Sequence, residues 1–215
     1  NGELDGQVSI FFSVSALSIF HIINDKNNLN QNYLIILLLL LIFTMLKLES
    51  LFLLISIFFS TFLIFLKKKF LNKKLIFIFL ISIIPIIMWH IFCSYHNISN
   101  QNSDYNYNIE SFYSRFMILE NYILIFKYLI LNEKFLFSLI FFLVTCFYSN
   151  NKNNFIYVIS ISIIYISILF FVYLSTPLDF DWHLNSSAAR IIKPIALLLS
   201  IFGVYNINKK LKFIR

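Results

Sequence analysis

The chain has 215 residues, of which 60% are hydrophobic and 13% are charged, and its mean hydropathy is +0.81. Soluble domains carry about 25% charged residues, so this composition excludes an ordinary soluble domain and indicates an integral membrane protein. Glycine and proline are scarce, at three residues each, so helices and not barrel strands are predicted to cross the membrane. The net charge of +7 is interpreted as a topology signal, and no nucleic-acid partner is predicted.

The first half of the chain contains one apolar run, residues 8–23, and then a longer one from Tyr33 to Leu66. As a straight helix the longer run would reach about 51 Å, whereas the apolar core of a bilayer is about 30 Å thick. Lys47 and Glu49 interrupt it, and each would cost about 2.5–3.5 kcal/mol at the bilayer centre. We therefore predict two short spans, with Lys47 and Glu49 in a turn that reaches water. One tilted span that buries the pair is the alternative.

The second half continues the pattern after a basic turn, Lys67–Lys74, which holds five lysines and marks the cytoplasmic side. The next span contains Pro85, which is expected to kink it. Ser111–Leu131 is apolar but carries three charges, so it is predicted to be a helix lying on the extracytoplasmic surface. Residues 150–154 are predicted to form a short turn, and residues 208–215 a basic tail.

The predicted fold is an all-α polytopic membrane helix bundle in a single transmembrane domain over residues 1–215. It has about seven short spans and one extracytoplasmic surface helix. The predicted spans are residues 8–23, 33–46, 51–66, 75–93, 135–149, 155–174 and 191–204.

Orientation follows from the positions of the lysines, because basic residues concentrate on the cytoplasmic side. The protein is predicted to lie in the plasma (inner) membrane. The basic turn and the tail are predicted to face the cytoplasm. Three polar stretches then fall together on the extracytoplasmic face: the N-terminal segment with Asp5, the turn with Lys47 and Glu49, and the segment Tyr173–Arg190. A single active or binding site requires such a convergence.

Tyr173–Arg190 is the densest polar segment, and we predict it to be a loop between two spans. Arg190 and Lys47 are suited to a phosphate or pyrophosphate, since arginine binds it through two donors and lysine supplies a point charge. Snorkelling of Arg190 and interface anchoring by Lys47 are the alternatives.

The other polar side chains of this segment have several possible roles. Asp179 and Asp181 can bind a divalent cation, accept a hydroxyl proton or hydrogen-bond a sugar. Two carboxylates alone make a poor metal site, so no metal or cofactor is predicted, and a divalent cation is the alternative. His183 can donate to a phosphate, transfer a proton or cap the loop. Trp182 can stack on a sugar or anchor at the membrane interface.

Three stretches together resemble the GT-C membrane glycosyltransferases, which include the protein O-mannosyltransferases, and among these the dolichyl-phosphate-mannose or RgtA/B/C/D-like transferases. Gly2–Gln7 is similar to the G-Y-x-D-x-P segment of that family, without the proline. Thr44–Ser50 is similar to T-K-x-E-G with one residue displaced. Tyr173–Arg190 is similar to Y-L-x-T-P-x-D-x-x-W-H-L-x-x-S-x-x-R, with Ala189 where the family favours aspartate.

The resemblance implies a cell-envelope glycosyltransferase that uses a polyprenyl-phosphate-linked sugar and a glycan, lipid or protein acceptor at the extracytoplasmic face of the lipid bilayer. It also implies that the catalytic acidic residue lies in an outer loop upstream of Asn1, so this chain is expected to be the C-terminal part of a longer protein. The substrate-binding residues predicted here are Asp5, Lys47, Glu49, Asp179, Asp181, Trp182, His183 and Arg190. A polysaccharide or lipid transporter, and a non-catalytic assembly protein, are the rival interpretations.

Overall fold

The structure, a computed structural model, describes residues 2–24, 29–47, 49–69, 72–96, 108–149 and 152–214. Nearly all of these residues are helical. The helices are α1 (Gly2–Asn24), α2 (Leu29–Leu46), α3 (Ser50–Lys68), α4 (Lys73–Tyr95), α5 (Ile109–Phe116), α6 (Leu119–Leu129), α7 (Glu133–Ser149), α8 (Lys152–Ser175), α9 (Phe180–Ile191) and α10 (Lys193–Ile214).

The predicted all-α membrane helix bundle is confirmed. Five of the described helical segments are long and apolar enough to cross a membrane, the last of them being the combined segment Phe180–Leu211. α6 and α7 pass the same test only as a pair, which is bent by 70°. α2 is apolar but shorter, over Asn32–Leu46. The count of seven spans stays a prediction, because length and composition alone give five or six.

Contacts between antiparallel helices define two ends of the bundle. At one end, which we call the site end, α1 begins and α2 ends, and Lys47 Nζ lies 2.6 Å from Asp5 Oδ1. At the other, the lysine end, α1 and α3 both end, and Lys68 Nζ donates to the Ile23 carbonyl at 2.9 Å and to Asn24 Oδ1 at 2.8 Å. The lysine thereby satisfies a terminal carbonyl of α1.

α8 and α10 also connect the two ends, and they contradict two predicted boundaries. Asn154, predicted in a turn, lies inside α8, is fully buried, and donates to Asn206 Oδ1 of α10 at 2.5 Å. The predicted tail from residue 208 continues α10 to Ile214. Both predictions were wrong, because asparagine and lysine usually indicate a solvent-exposed turn or tail and do not do so at these positions. Here the buried amides of Asn154 and Asn206 hydrogen-bond to each other, and Lys209 is exposed within α10.

The single helix predicted at Ser111–Leu131 is two helices in the structure, α5 and α6, with a break at Met117 and Ile118. Ile125 and Leu129 of α6 are fully buried, so this helix packs into the bundle. The charges that suggested a solvated helix include Arg115, whose guanidinium instead donates to main-chain carbonyls of other segments.

Gly203 of α10 provides a stability test, because a Cβ there would lie 2.5 Å and 2.7 Å from two ring carbons of Phe141 in α7. Gly6 of α1 has nothing within 4 Å of the same position. We expect Gly6→Ala to stabilise the protein by about 0.5–1 kcal/mol through lost backbone entropy of the unfolded chain. Gly203→Ala should destabilise it by about 1 kcal/mol through overpacking. Unfolding in detergent measures both, and equal stabilisation by the two changes would contradict close packing of α7 on α10.

Candidate functional site

Residues from all three polar stretches of the sequence meet at the site end of the bundle. Lys47 Nζ lies 2.6 Å from Asp5 Oδ1 and 3.0 Å from Glu49 Oε2. Arg190 Nε lies 3.5 Å from Asp5 Oδ2. These four residues, which we call the charged cluster, connect α1, the α2–α3 turn and the last turn of α9.

The local chain geometry explains how Lys47 and Glu49 reach the same place. Residues two apart on a helix point in different directions, so a continuous helix would separate these side chains. α2 ends before Lys47 and α3 begins after Glu49. The turn is closed by Ser50, whose hydroxyl donates to the Lys47 carbonyl at 2.5 Å. Both side chains can then approach Asp5, an acidic residue in the first turns of α1, where the helix dipole favours negative charge.

The charged cluster is largely withdrawn from solvent and formally neutral. The side chains of Asp5, Glu49 and Lys47 are 5%, 14% and 23% exposed, and that of Arg190 is 31% exposed. Two cations face two carboxylates, so the cluster can remain buried without a further counter-ion. This charge balance explains how four charged side chains can lie together with little exposure to solvent.

The two cations nevertheless keep donors for a ligand. Lys47 has three ammonium protons, and two are directed to carboxylates, which leaves one. Arg190 has five N–H donors, and among the described residues its polar contact is the Nε approach to Asp5, which is too long for a hydrogen bond. The terminal nitrogens of Arg190 can therefore take an anion in bidentate fashion.

The segment Tyr173–Arg190 is not the loop that we predicted. It contains the end of α8, a turn of four residues and almost all of α9. His183, Ser187 and Arg190 have the spacing i, i+4, i+7, so they share one face of α9. The loop prediction failed because polar residues were read as solvated, whereas this helix is amphipathic and turns its His183 face to the bundle.

A chain of hydrogen bonds holds this face against α8. Ser187 Oγ donates to the His183 carbonyl at 2.6 Å, so the Tyr173 hydroxyl donates to Ser187 Oγ at 2.8 Å. The rings of Tyr173 and His183 are 5.0 Å apart, and His183 is 4% exposed. Tyr173 and Ser187 are contributors to the site that sequence reasoning did not single out, although both lie in the polar segment.

The remaining predicted residues lie at the beginning of α9, and no described contact joins them to the charged cluster. Asp179 is the N-cap of the helix, and its Oδ1 accepts from the Trp182 amide at 2.8 Å. Asp181 and Trp182 are exposed, Trp182 by 59%. Within the described segments, no three histidine, cysteine or acidic side chains are close enough to hold a metal ion.

A helix break places Arg190 at the edge of the site. Pro194 has no N–H to donate to the Arg190 carbonyl four residues earlier, so α9 ends at Ile191 and α10 begins after Ile192. The neighbouring Ile191 carbonyl accepts a hydrogen bond from the Tyr165 hydroxyl of α8 at 3.1 Å. Tyr165 thus fixes the C-terminal end of α9, a role that only the packing reveals.

An apolar groove of about 890 Å³ lies between α2 and α4, and Lys47 of the charged cluster is among the residues that line it. Lys47 is the one charged residue among the described residues that line the groove. The sequence identifies Pro85, but it does not predict that α2 packs opposite this part of α4. The groove is lined by Leu41, Thr44, Met45, Leu46, Lys47, Ile81, Ile84, Pro85, Ile86, Met88, Trp89 and Phe92.

Comparison of the chain with protein-family models, curated proteins and solved structures finds no match. The resemblance to the GT-C glycosyltransferases therefore depends on the three sequence stretches described above, and membership of that family stays a prediction.

Proposed function

We propose that this chain forms the donor-binding part of a membrane glycosyltransferase. The enzyme takes a sugar from a polyprenyl-phosphate carrier and transfers it to a glycan, lipid or protein acceptor on the extracytoplasmic face of the plasma membrane. One observation supports the proposal above all others. Lys47 lines the apolar groove and also belongs to the charged cluster, so an apolar chain in the groove would lie beside a cation that can bind phosphate.

The shape of the donor corresponds to this arrangement. A polyprenyl-phosphate sugar has a long apolar chain, a phosphate and a polar head. The groove runs along α4 from Ile81 to Phe92, which is about 16 Å at 1.5 Å per residue. Its volume is within the usual range for small-molecule sites. The phosphate would meet the terminal nitrogens of Arg190 and the remaining ammonium proton of Lys47.

The proposed reaction is an inverting transfer. A hydroxyl oxygen of the acceptor forms a bond to the anomeric carbon of the sugar while the bond from that carbon to the phosphate oxygen breaks. The bonding electrons leave with the polyprenyl phosphate, and the hydroxyl proton goes to a carboxylate base, which the family resemblance implies. Arg190 and Lys47 stabilise the charge that develops on the leaving phosphate.

The carboxylates of the site have supporting roles in this proposal. Asp5 and Glu49 hold Lys47 in place, and Asp5 also faces Arg190, so they shape the phosphate site. His183, which is buried and packs on the ring of Tyr173, supports the site by holding α9 against α8. Asp179, Asp181 and Trp182, at the start of α9, orient the sugar or the acceptor.

The rival interpretation as a transporter requires charged side chains along a pathway through the bundle. In the described helices the charges of the cluster lie at helix ends: Asp5 near the start of α1 and Arg190 in the last turn of α9. Lys47 and Glu49 lie between helices. This placement at one end favours a surface reaction over passage across the membrane.

Blocking the groove tests the proposal. Ile84 and Ile87 of α4 are 50% and 51% exposed, but only Ile84 lines the groove. We expect Ile84→Trp to weaken binding of a polyprenyl phosphate by about tenfold or more, because the indole fills space that the chain needs. Ile87→Trp, the matched control, should leave binding unchanged. Native mass spectrometry in nanodiscs, with a short-chain prenyl phosphate as second ligand, measures both.

The comparison with the short-chain ligand identifies what occupies the groove. Since a short chain does not extend along the groove, Ile84→Trp should affect its binding little. Equal affinity of the Ile84→Trp and Ile87→Trp proteins for the long-chain lipid would contradict the proposal. A second contradicting result would be that Ile84→Trp displaces only ordinary phospholipid from the protein. The groove would then hold bulk lipid.

A further inference from the structure

We propose that Arg115 of α5 is a positioning residue that fixes the turn between α8 and α9 and so sets the location of the sugar-facing start of α9. The inference deepens the proposed function and rests on it for the catalytic readout. Its conformational part depends on contacts alone.

Arg115 donates to the main chain at three places around this turn. Its Nη1 donates to the Thr176 carbonyl at 2.7 Å and lies 3.4 Å from the Tyr173 carbonyl. Its Nη2 donates to the Leu178 carbonyl at 2.8 Å. The last carbonyls of a helix have no partner within the helix, so a guanidinium at the end of α8 satisfies groups that would otherwise lack hydrogen bonds.

Two further contacts attach α5 to the same turn. The guanidinium of Arg115 lies 5.3 Å from the centre of the Phe180 ring, the first residue of α9. The Asn108 amide, just before α5, donates to the Ser175 carbonyl at 2.8 Å. The end of α8, the turn and the start of α9 are therefore all held by one short helix.

Arginine is suited to this position for a geometric reason. Its planar fork can reach several carbonyls at once, whereas the ammonium of lysine is a point donor on a flexible stem. Burial lowers the pKa of the Arg115 guanidinium, and the nearby charge of Asp179 acts in the opposite direction. An arginine starts so far above neutrality that it keeps its charge at this site.

The two ends of α9 are held by different groups. A change at the start of the helix can therefore be distinguished from a change at the phosphate side. Phe180 and Arg190 are about 15 Å apart along the helix. The end at Arg190 is held by the hydrogen bond of Tyr165 to Ile191 and by Asp5. Loss of Arg115 frees the start of the helix, with Asp181 and Trp182, while the phosphate side stays in place.

Transfer by the protein expressed from its complete gene is therefore expected to show a split. Arg115→Ala should lower kcat for sugar transfer by about tenfold, because the sugar or acceptor is misplaced, and change donor-lipid affinity by less than about twofold. Hydrogen exchange of the amides of residues 180–184 should accelerate by about tenfold. In both kcat and hydrogen exchange, Arg115→Lys should be intermediate between Arg115→Ala and the native protein. Lys127→Ala, an exposed residue of α6, is the matched control and should change neither quantity.

Several results would overturn the inference. One is unchanged exchange of residues 180–184 in folded Arg115→Ala protein, and another is a parallel loss of kcat and donor affinity. If Arg115→Ala does not fold, Arg115→Lys decides, because full native kcat and exchange in that variant would exclude a role for the fork. If the native protein neither binds nor transfers the donor, the proposed function fails, and the exchange comparison still decides whether Arg115 fixes α9.

Discussion

Replacing Arg190 with alanine is expected to weaken binding of a polyprenyl phosphate by about 10- to 100-fold. Hydrogen bonds between charged partners contribute about 1.5–3 kcal/mol, and 1.4 kcal/mol corresponds to a tenfold change in affinity. The terminal nitrogens of Arg190 supply most of the donors that the described charged cluster leaves available for a ligand. Arg190→Lys should recover part of the affinity, because lysine restores the charge but not the bidentate geometry. Titration of the lipid into protein in nanodiscs measures the effect.

Stability serves as the control for this variant. The contact of Arg190 with Asp5 is long, at 3.5 Å, and Asp5 retains Lys47 as a partner. We therefore expect Arg190→Ala to lower the free energy of unfolding by no more than about 1 kcal/mol. Lys134→Ala, an exposed lysine at the start of α7, should affect neither stability nor binding. Native lipid affinity in the Arg190→Ala protein would show that Arg190 does not bind the phosphate.

Replacing Lys47 with methionine is expected to destabilise the protein by about 3–5 kcal/mol. Removal of one partner from a buried ion pair leaves the other charges without compensation. Here the carboxylates of Asp5 and Glu49, 5% and 14% exposed, would both lose their nearest cation. Methionine keeps a similar volume, so the effect should come from charge and not from a cavity. Unfolding in mixed detergent micelles measures the change, with Lys134→Met as the exposed control.

A double-mutant cycle isolates the electrostatic origin of this effect. Within the charged cluster, loss of Lys47 leaves two carboxylates with Arg190 as their one remaining cation, and Asp5→Asn removes the excess negative charge. The Lys47→Met and Asp5→Asn protein should therefore be more stable than the Lys47→Met protein. The coupling between contacting residues of this kind is about 0.5–3 kcal/mol. Additive losses in the double variant would mean that Asp5 and Lys47 do not interact in the folded protein.

The convergence of the charged cluster illustrates what a sequence can predict in a membrane protein. Hydrophobic length separates the helices, and the lysine turns set their alternation. These two constraints bring Asp5, Lys47 and Arg190 to one end without any knowledge of side-chain packing. Once the direction of each helix is fixed, the bundle has few possible arrangements. Asp5 and Arg190, which are 185 positions apart, are therefore placed at the same end.

The parts that sequence did not predict depend on partners from distant segments. His183 looks solvated until α9 packs its inner face on Tyr173. Arg115 looks like a surface charge, yet its acceptors lie 58 to 63 residues further along the chain. The groove forms because α2 and α4 face each other. In neither helix does the spacing of apolar residues indicate the side that faces the groove. Tertiary contacts decided each of these cases, and local composition was misleading.

Release of polyprenyl phosphate from a lipid-linked sugar is the measurement that tests the central claim most directly. Membranes that contain the protein expressed from its complete gene would be incubated with a panel of labelled polyprenyl-phosphate sugars, and the extracted lipids and acceptor fractions would be separated. We predict that one donor is consumed and that its label moves to a glycan, lipid or protein fraction. At a subsaturating donor concentration, Arg190→Ala and Ile84→Trp should slow this transfer by about tenfold or more, while Ile87→Trp should not. Consumption of no donor, equal consumption by the Arg190→Ala protein, or movement of an intact lipid-linked glycan across the membrane would contradict the account.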